Sequence, residues 1–187
     1  MKRNRCGQAS IFSQANFDKL IEKTVGENHK MIFRLAYLTA ARMGEVLQLQ
    51  TSDVYNDGIP LASITFQRRR TKTRETRQVP TSPKLREYLK YYWLNQKPQP
   101  GFLFPGLNGH LQFQSADDAL RRAIKLAGLS GLGYSTHSFR RTATTNLSNN
   151  GTSLSVIQQI TGHESLQNLQ RYIDTSPDQV INAIATL

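Results

Sequence analysis

Apolar and polar positions follow a helical period over most of the chain and an alternating period over one short stretch. Ser13 is placed to cap a helix running to about residue 25, with Phe17, Leu20 and Ile21 on its inward face. The apolar run over 31–41 predicts a second, deeply buried helix, and 43–49 a third. Between Asp53 and Pro80 the pattern changes. Val54-Tyr55 leads into the turn signal Asn56-Asp57-Gly58, and residues 61–67 and 76–79 read as strands. Residues 53–80 are therefore expected to insert a small antiparallel sheet between helices.

Ser82-Pro83 supplies an N-cap and a first-turn proline for a helix with Leu85, Tyr88, Leu89 and Tyr92 along one face. The Pro- and Gly-rich stretch 97–109 reads as a surface connection around Phe102-Leu103-Phe104. Ser115 and Asp118 have capping-box spacing ahead of Leu120, Ala123, Ile124 and Ala127, with Gly128 as the C′ residue. Further helices are expected over 137–149, 153–160, 164–173 and 177–186. The fold class that results is mostly α with a small antiparallel β-sheet (α+β).

At 187 residues, with 38% hydrophobic and 9% aromatic residues, the chain has the length and composition of one folded domain, read here as spanning 1–187. A single cysteine, Cys6, rules out an intrachain disulfide and a cysteine-rich zinc site. No apolar stretch approaches the roughly 20 residues of a membrane span, so a soluble, cytoplasmic protein is expected. The formal charge of +11 on a folded surface makes nucleic acid the leading partner.

Several places carry that charge in chemically usable form. Residues 68–77 hold Arg68, Arg69, Arg70, Lys72, Arg74 and Arg77 against Glu75 alone, a net +5 on a predicted strand-turn-strand. A solvated hairpin tip and a phosphate-binding ribbon both fit such a run. Arg42 stands at the entry of the third helix, where a cation opposes the macrodipole. An ion pair with Glu45 is the simple explanation, and an anion site the other. His137 and Arg140 share a helix face and can grip one anion, or else form ordinary core packing. His163 follows Gly162 at a predicted helix N-terminus, where amide N–H groups favour anions. Tyr172 has nothing local to set it apart from core or surface packing.

Taken together, Arg42, Lys72, His137 with Arg140, His163 and Tyr172 resemble the ordered signature of the tyrosine recombinases, the phage-integrase family. The first arginine lies in Ala41-Arg42-Met43-Gly44-Glu45-Val46-Leu47, the lysine in 71–80 ending Val79-Pro80, and the pair in His137-Ser138-Phe139-Arg140-Arg141-Thr142. Thr161-Gly162-His163 and Tyr172 complete the match, which covers most of the chain and implies that family's catalytic-domain fold.

The resemblance implies a site-specific recombinase or integrase that cuts and rejoins DNA through a 3′-phosphotyrosyl intermediate, with no cofactor, metal or ATP. Tyr172 would be the nucleophile. Arg42 and Arg140 would bind the nonbridging phosphate oxygens, His163 would hold a phosphate oxygen, and His137 would accept the tyrosine proton. Lys72 would protonate the leaving 5′-oxygen, since an amine releases a proton and arginine effectively does not. Glu45 would orient Arg42, and Asp53 would be structural. Arg68, Arg69, Arg70, Arg74, Arg77 and Arg141 are expected DNA contacts. A type IB topoisomerase and a DNA-binding relative without catalysis are the other readings.

The expected partner is double-stranded DNA, bound as a homotetramer that is monomeric when free, in a prokaryotic, phage or plasmid setting. Only 41 residues precede Arg42, so the family's preceding helical clamp domain is expected to be absent. Residues 176–187 are expected to form a tail helix, docked on its own core or, as in relatives, on a neighbouring protomer.

Overall fold

The computed structural model describes residues 7–67, 76–107, 109–173, 181, 184 and 185. Helix α1 (Gln14–Lys23) starts where the sequence places it, with Ser13 accepting a hydrogen bond from the Asn16 amide at 3.2 Å and Phe17, Leu20 and Ile21 buried. Helix α2 (Glu27–Leu38) starts before the apolar run, directly after Gly26 at φ +83°. It also stops short of residue 41, because Ala40 takes φ +51° and turns the chain into α3 (Met43–Leu47).

The described residues of 53–80 include four short strands: β1 (Tyr55–Asn56), β2 (Ile59–Pro60), β3 (Ser63–Phe66) and β4 (Arg77–Pro80). They form two separate antiparallel ladders, β1–β2 and β3–β4, and not the single small sheet the sequence suggested. The strands bury side chains against helices instead of widening a sheet. Tyr55 packs tilted against Trp93, ring centres 4.9 Å apart, and donates to Leu89 O at 2.9 Å. The β3–β4 register sets Ile64 opposite Val79 and Phe66 opposite Arg77.

Helix α4 (Pro83–Gln96) is capped by Ser82, whose hydroxyl accepts from the Leu85 amide at 3.2 Å. The stretch read as a surface connection is in part core: Leu103 and Phe104 are fully buried, and a third ladder joins β5 (Pro105–Gly106) to β6 (Gly109–His110). Apolar side chains in a Pro/Gly-rich setting were enough to draw that loop inward. Helix α5 (Phe113–Leu126) has Gln112 at its N-cap, three residues ahead of the Ser115 signal, because the turn begins at the β6 exit.

Helix α6 (Thr136–Asn149) runs through the middle of the molecule, and Ser138 to Thr145 are all buried. Phe139 stacks on Phe33 of α2 at 5.1 Å and lies 5.2 Å from Phe12. Two threonines of this core helix are satisfied within it, Thr142 and Thr144 donating to the carbonyls of Ser138 and Arg140 at 2.6 and 2.7 Å, while Thr145 donates to Tyr172 O at 3.2 Å. Helix α7 (Leu154–Thr161) ends on Gly162 at φ +66°, and α8 (Leu166–Gln170) follows Ser165. α8 is shorter than the 164–173 expected, so Tyr172 lies just beyond it. The expected tail helix falls almost wholly outside the described residues. Among the described residues no helix is long and apolar enough to cross a membrane.

Candidate functional site

The buried centre of the site is Arg140, 1% exposed in the middle of α6. Phe139, stacked on Phe33, fixes this stretch of helix and so aims its neighbour inward at the end of α2. Arg140 Nη1 donates to Ala40 O at 2.7 Å, and Nη2 lies 3.2 Å from His163 Nε2 and 3.3 Å from Nδ1. Its guanidinium sits 5.7 Å from the Tyr172 ring centre, and the His163 and Tyr172 rings are 4.8 Å apart.

The tautomer of His163 follows from Thr161. That hydroxyl gives its proton to Ile157 O at 2.8 Å, so it accepts from His163 Nδ1 at 2.7 Å. Nε2 is then the lone-pair nitrogen facing Arg140. Burial first, and then the charges of Arg140, Arg42 and Arg77, push the His163 imidazole down to about 3, so it is neutral at physiological pH.

Arg42 reaches the same pocket from the N-cap of α3. The cation at this helix entry is balanced by Glu45, whose carboxylate accepts from the Arg42 amide and from Arg42 Nη1, both at 2.9 Å. The ion pair proposed as the simple explanation therefore exists, yet it does not use up the carboxylate. Arg77 Nη2 donates to Glu45 Oε2 at 2.7 Å. Burial alone would raise the Glu45 carboxyl, but the hydrogen bond and charge of Arg77, with the Arg42 amide and Arg140, outweigh it and hold it below the usual range.

Three guanidiniums thus surround one carboxylate and one neutral imidazole, leaving an excess of positive charge. Burial, and then the Arg42 charge, lower Arg140 to about 9, still a cation at neutral pH. Arg140 Nε and Arg77 Nη1 are buried with no hydrogen-bond partner. Unpaired buried donors cost on the order of 1–3 kcal/mol each, and an anion bound at Arg140 removes part of that cost. The chemistry the arrangement offers is capture of a singly charged, oxygen-bearing anion next to a tyrosine.

Arg42, Arg140, His163 and Tyr172 are therefore brought together from three parts of the chain. His137 stands exposed in the first turn of α6, three residues from Arg140. Lys72 and four of the expected DNA contacts, Arg68, Arg69, Arg70 and Arg74, lie outside the described residues. Two of the expected DNA contacts, Arg141 and Arg77, lie buried. Arg141 is 5% exposed and donates to Ala9 O at 2.6 Å, because α6 has no solvent face over this stretch. Arg77 is held inside the pocket by Glu45 and Ile160 O. Asp53 accepts from the Gln50 amide and from Gln67 Nε2 at 2.8 and 2.7 Å, tying its turn to β3. Thr161, which orients His163, has no signal of its own in the sequence, since a hydroxyl two residues from its partner has no helical period to mark it.

A family model described as the phage integrase family matches residues 12–179. The chain belongs to the phage integrase family. Among its relatives, the tyrosine recombinase XerC of Rhodospirillum centenum is 31% identical over 87% of this chain and 47% of its own length. The integrase of Escherichia phage P2 is 25% identical over 95% of this chain and 47% of its own. The chain spans about half the length of these relatives. In structure it is similar to XerA recombinase, with a TM-score of 0.77 at 21% identity over 98% of this chain and 65% of that one. It is also similar to XerH bound to its difH substrate before cleavage, with a TM-score of 0.71 at 20% identity over 97% of this chain and 55% of that one. The fold is that of the tyrosine recombinase catalytic domain, and each integrase-family segment read from the sequence falls within the matched residues.

Proposed function

We propose that this chain is a site-specific DNA recombinase that breaks and rejoins strands through Tyr172. The observation that carries the reading is the buried cationic pocket of Arg140, Arg42 and His163 beside the Tyr172 ring. Attack of the tyrosine oxygen on a phosphodiester adds negative charge to the nonbridging oxygens, where two guanidiniums stabilise it. One such preorganised donor is worth about 10² to 10³ in rate. The bond formed is phosphorus to Tyr172 oxygen, and the bond broken is phosphorus to the 5′-oxygen. Lys72 gives that oxygen its proton, and His137 accepts the tyrosine proton. A 5′-hydroxyl from a second strand then reverses the step, so the number of phosphodiester bonds is conserved and no ATP is needed.

Arg42 and Arg140 are arginine, not lysine, at positions that suit bidentate recognition of phosphate. Exchange between duplexes requires several protomers on DNA, and a homotetramer that forms from monomers on the DNA fits this need. The names of relatives, recombinases and integrases of bacteria and phage, support the same reading.

The test is a pool of nicked duplexes with randomised sequence around the nick, in which loss of a short 5′-segment traps any covalent adduct. Denaturing gels are expected to show a DNA-bound chain for the wild type and none for Tyr172→Phe. No wild-type adduct, or an undiminished one from Tyr172→Phe, contradicts the reading. Relaxation of supercoiled plasmid without transfer between duplexes would place the chain with nicking-closing enzymes.

A further inference from the structure

Arg77 opens β4 in the most basic stretch of the chain, five residues after Lys72, yet its side chain is only 8% exposed. Its guanidinium joins three separate elements. Nη2 donates to Glu45 Oε2 at 2.7 Å, and Nε donates to Ile160 O at 3.2 Å, in the last turn before His163. The guanidinium plane lies 4.4 Å over the Phe66 ring of β3. Gly162 packs so closely that a Cβ there would sit 3.1 Å from Arg77 Cδ and 3.3 Å from Nη1. The far oxygen of Glu45 holds Arg42 Nη1 at 2.9 Å.

A side chain with two donors committed to protein acceptors and its third nitrogen buried beside Gly162 offers little to a DNA backbone. We infer that Arg77 is a positioning residue, which sets Glu45 and through it Arg42 in place against the turn that carries His163. The inference rests on the strand-exchange reading of the site. Its chemistry is specific to arginine: one planar fork meets Glu45 and Ile160 O at once, whereas a lysine ammonium reaches one of them as a point charge. Without it, Glu45 closes wholly on Arg42, drawing that guanidinium away from an incoming phosphate.

The experiment compares Arg77→Lys and Arg77→Met with the wild type in the whole chain, using the nicked duplexes recovered as adducts. Single-turnover adduct formation at saturating DNA is expected to slow about 10²-fold in both variants, the typical cost of misplacement by about 1 Å. DNA affinity and the slope of log affinity against log salt are expected to stay at wild-type values. A DNA contact behaves otherwise: Arg77→Lys keeps its rate, and Arg77→Met loses about one unit of salt slope. Either result overturns the inference.

Should both variants fail to fold, Phe66→Leu keeps the position apolar, at a somewhat smaller volume, and removes the ring under the guanidinium. A several-fold slower adduct is expected from it, and an unchanged rate overturns the inference. If the wild type forms no adduct, the strand-exchange reading fails by itself. The positioning claim is then judged on the ring nitrogens of His163 by ¹⁵N NMR, which are expected to shift between wild type and Arg77→Met. Unchanged shifts overturn it.

Discussion

Arg140 Nη1 donates to the carbonyl of Ala40 at 2.7 Å across 100 residues of sequence, and Ala40 presents that carbonyl only because its backbone sits at φ +51°. An alanine in this left-handed region carries strain of about 1–2 kcal/mol. The surrounding contacts keep it there: the buried guanidinium needs an acceptor, and the chain must turn sharply from α2 to set Arg42 at the start of α3.

Replacing Ala40 tests that strain. Ala40→Val puts a β-branched side chain where φ is positive, and urea unfolding is expected to show a loss of about 2 kcal/mol or more. Ala40→Gly relieves the strain but removes a buried methyl worth about 0.8 kcal/mol, so its stability is expected within about 1 kcal/mol of the wild type. Equal stability of Ala40→Val and wild type would show that the turn is unstrained.

The excess positive charge of the pocket predicts stabilisation by small oxyanions. Inorganic phosphate at ten times its dissociation constant adds about 1.4 kcal/mol, which for a chain of this size is a rise of about 3–5 °C in melting temperature. Chloride at matched ionic strength is expected to give a smaller shift, and Arg42→Met to remove most of the difference. Identical curves in phosphate and chloride would count against an anion site.

His163 makes stability depend on pH. Its folded-state imidazole is pushed down to about 3, chiefly by burial and then by the neighbouring guanidiniums. The unfolded chain binds a proton near 6.5, so the unfolded state takes up protons first as pH falls. Stability contributed by neutral His163 is full above about 6.5 and is lost progressively down to about 3. Urea midpoints are expected to fall between pH 7 and 5 in the wild type and to fall less in His163→Gln. That comparison separates His163 from His29, whose imidazole is also held down by burial. Parallel profiles for the two proteins would contradict the assignment.

Gly162 is required twice over, by φ +66° and by the closeness of Arg77. Gly162→Ala is expected to cost about 1–2 kcal/mol of stability from the backbone alone. It is also expected to slow adduct formation, because the new methyl and Arg77 compete for one space. A variant that loses stability but keeps the wild-type cleavage rate would confine Gly162 to a backbone role.

Local signals were legible where the chemistry is local. Ser13 and Ser82 cap their helices as their positions predict, Gly162 ends α7, and the Asn56-Asp57-Gly58 turn closes a hairpin. Arg42, Arg140, His163 and Tyr172 were legible as a set because ordered motifs survive in sequence even when their spacing hides their contacts. The burial of Arg77 and Arg141 was not legible, for one reason. A basic side chain near other basic side chains looks solvent-facing, and nothing in the linear pattern says that a carboxylate or a carbonyl waits inside.

The sequence alone therefore determined most of the helices, the Ser13 and Ser82 caps and the ordered set of motif residues, since propensity, turn chemistry and ordered motifs are properties of neighbouring residues. Only the tertiary structure decided which arginines are buried, which tautomer His163 holds and which acceptors Arg77 meets. Those depend on acceptors supplied from elsewhere in the chain: Ala40 O for Arg140, Thr161 for His163, and Glu45 with Ile160 O for Arg77. Desolvating a guanidinium is unfavourable unless such partners are in place, and only the packed fold brings them there.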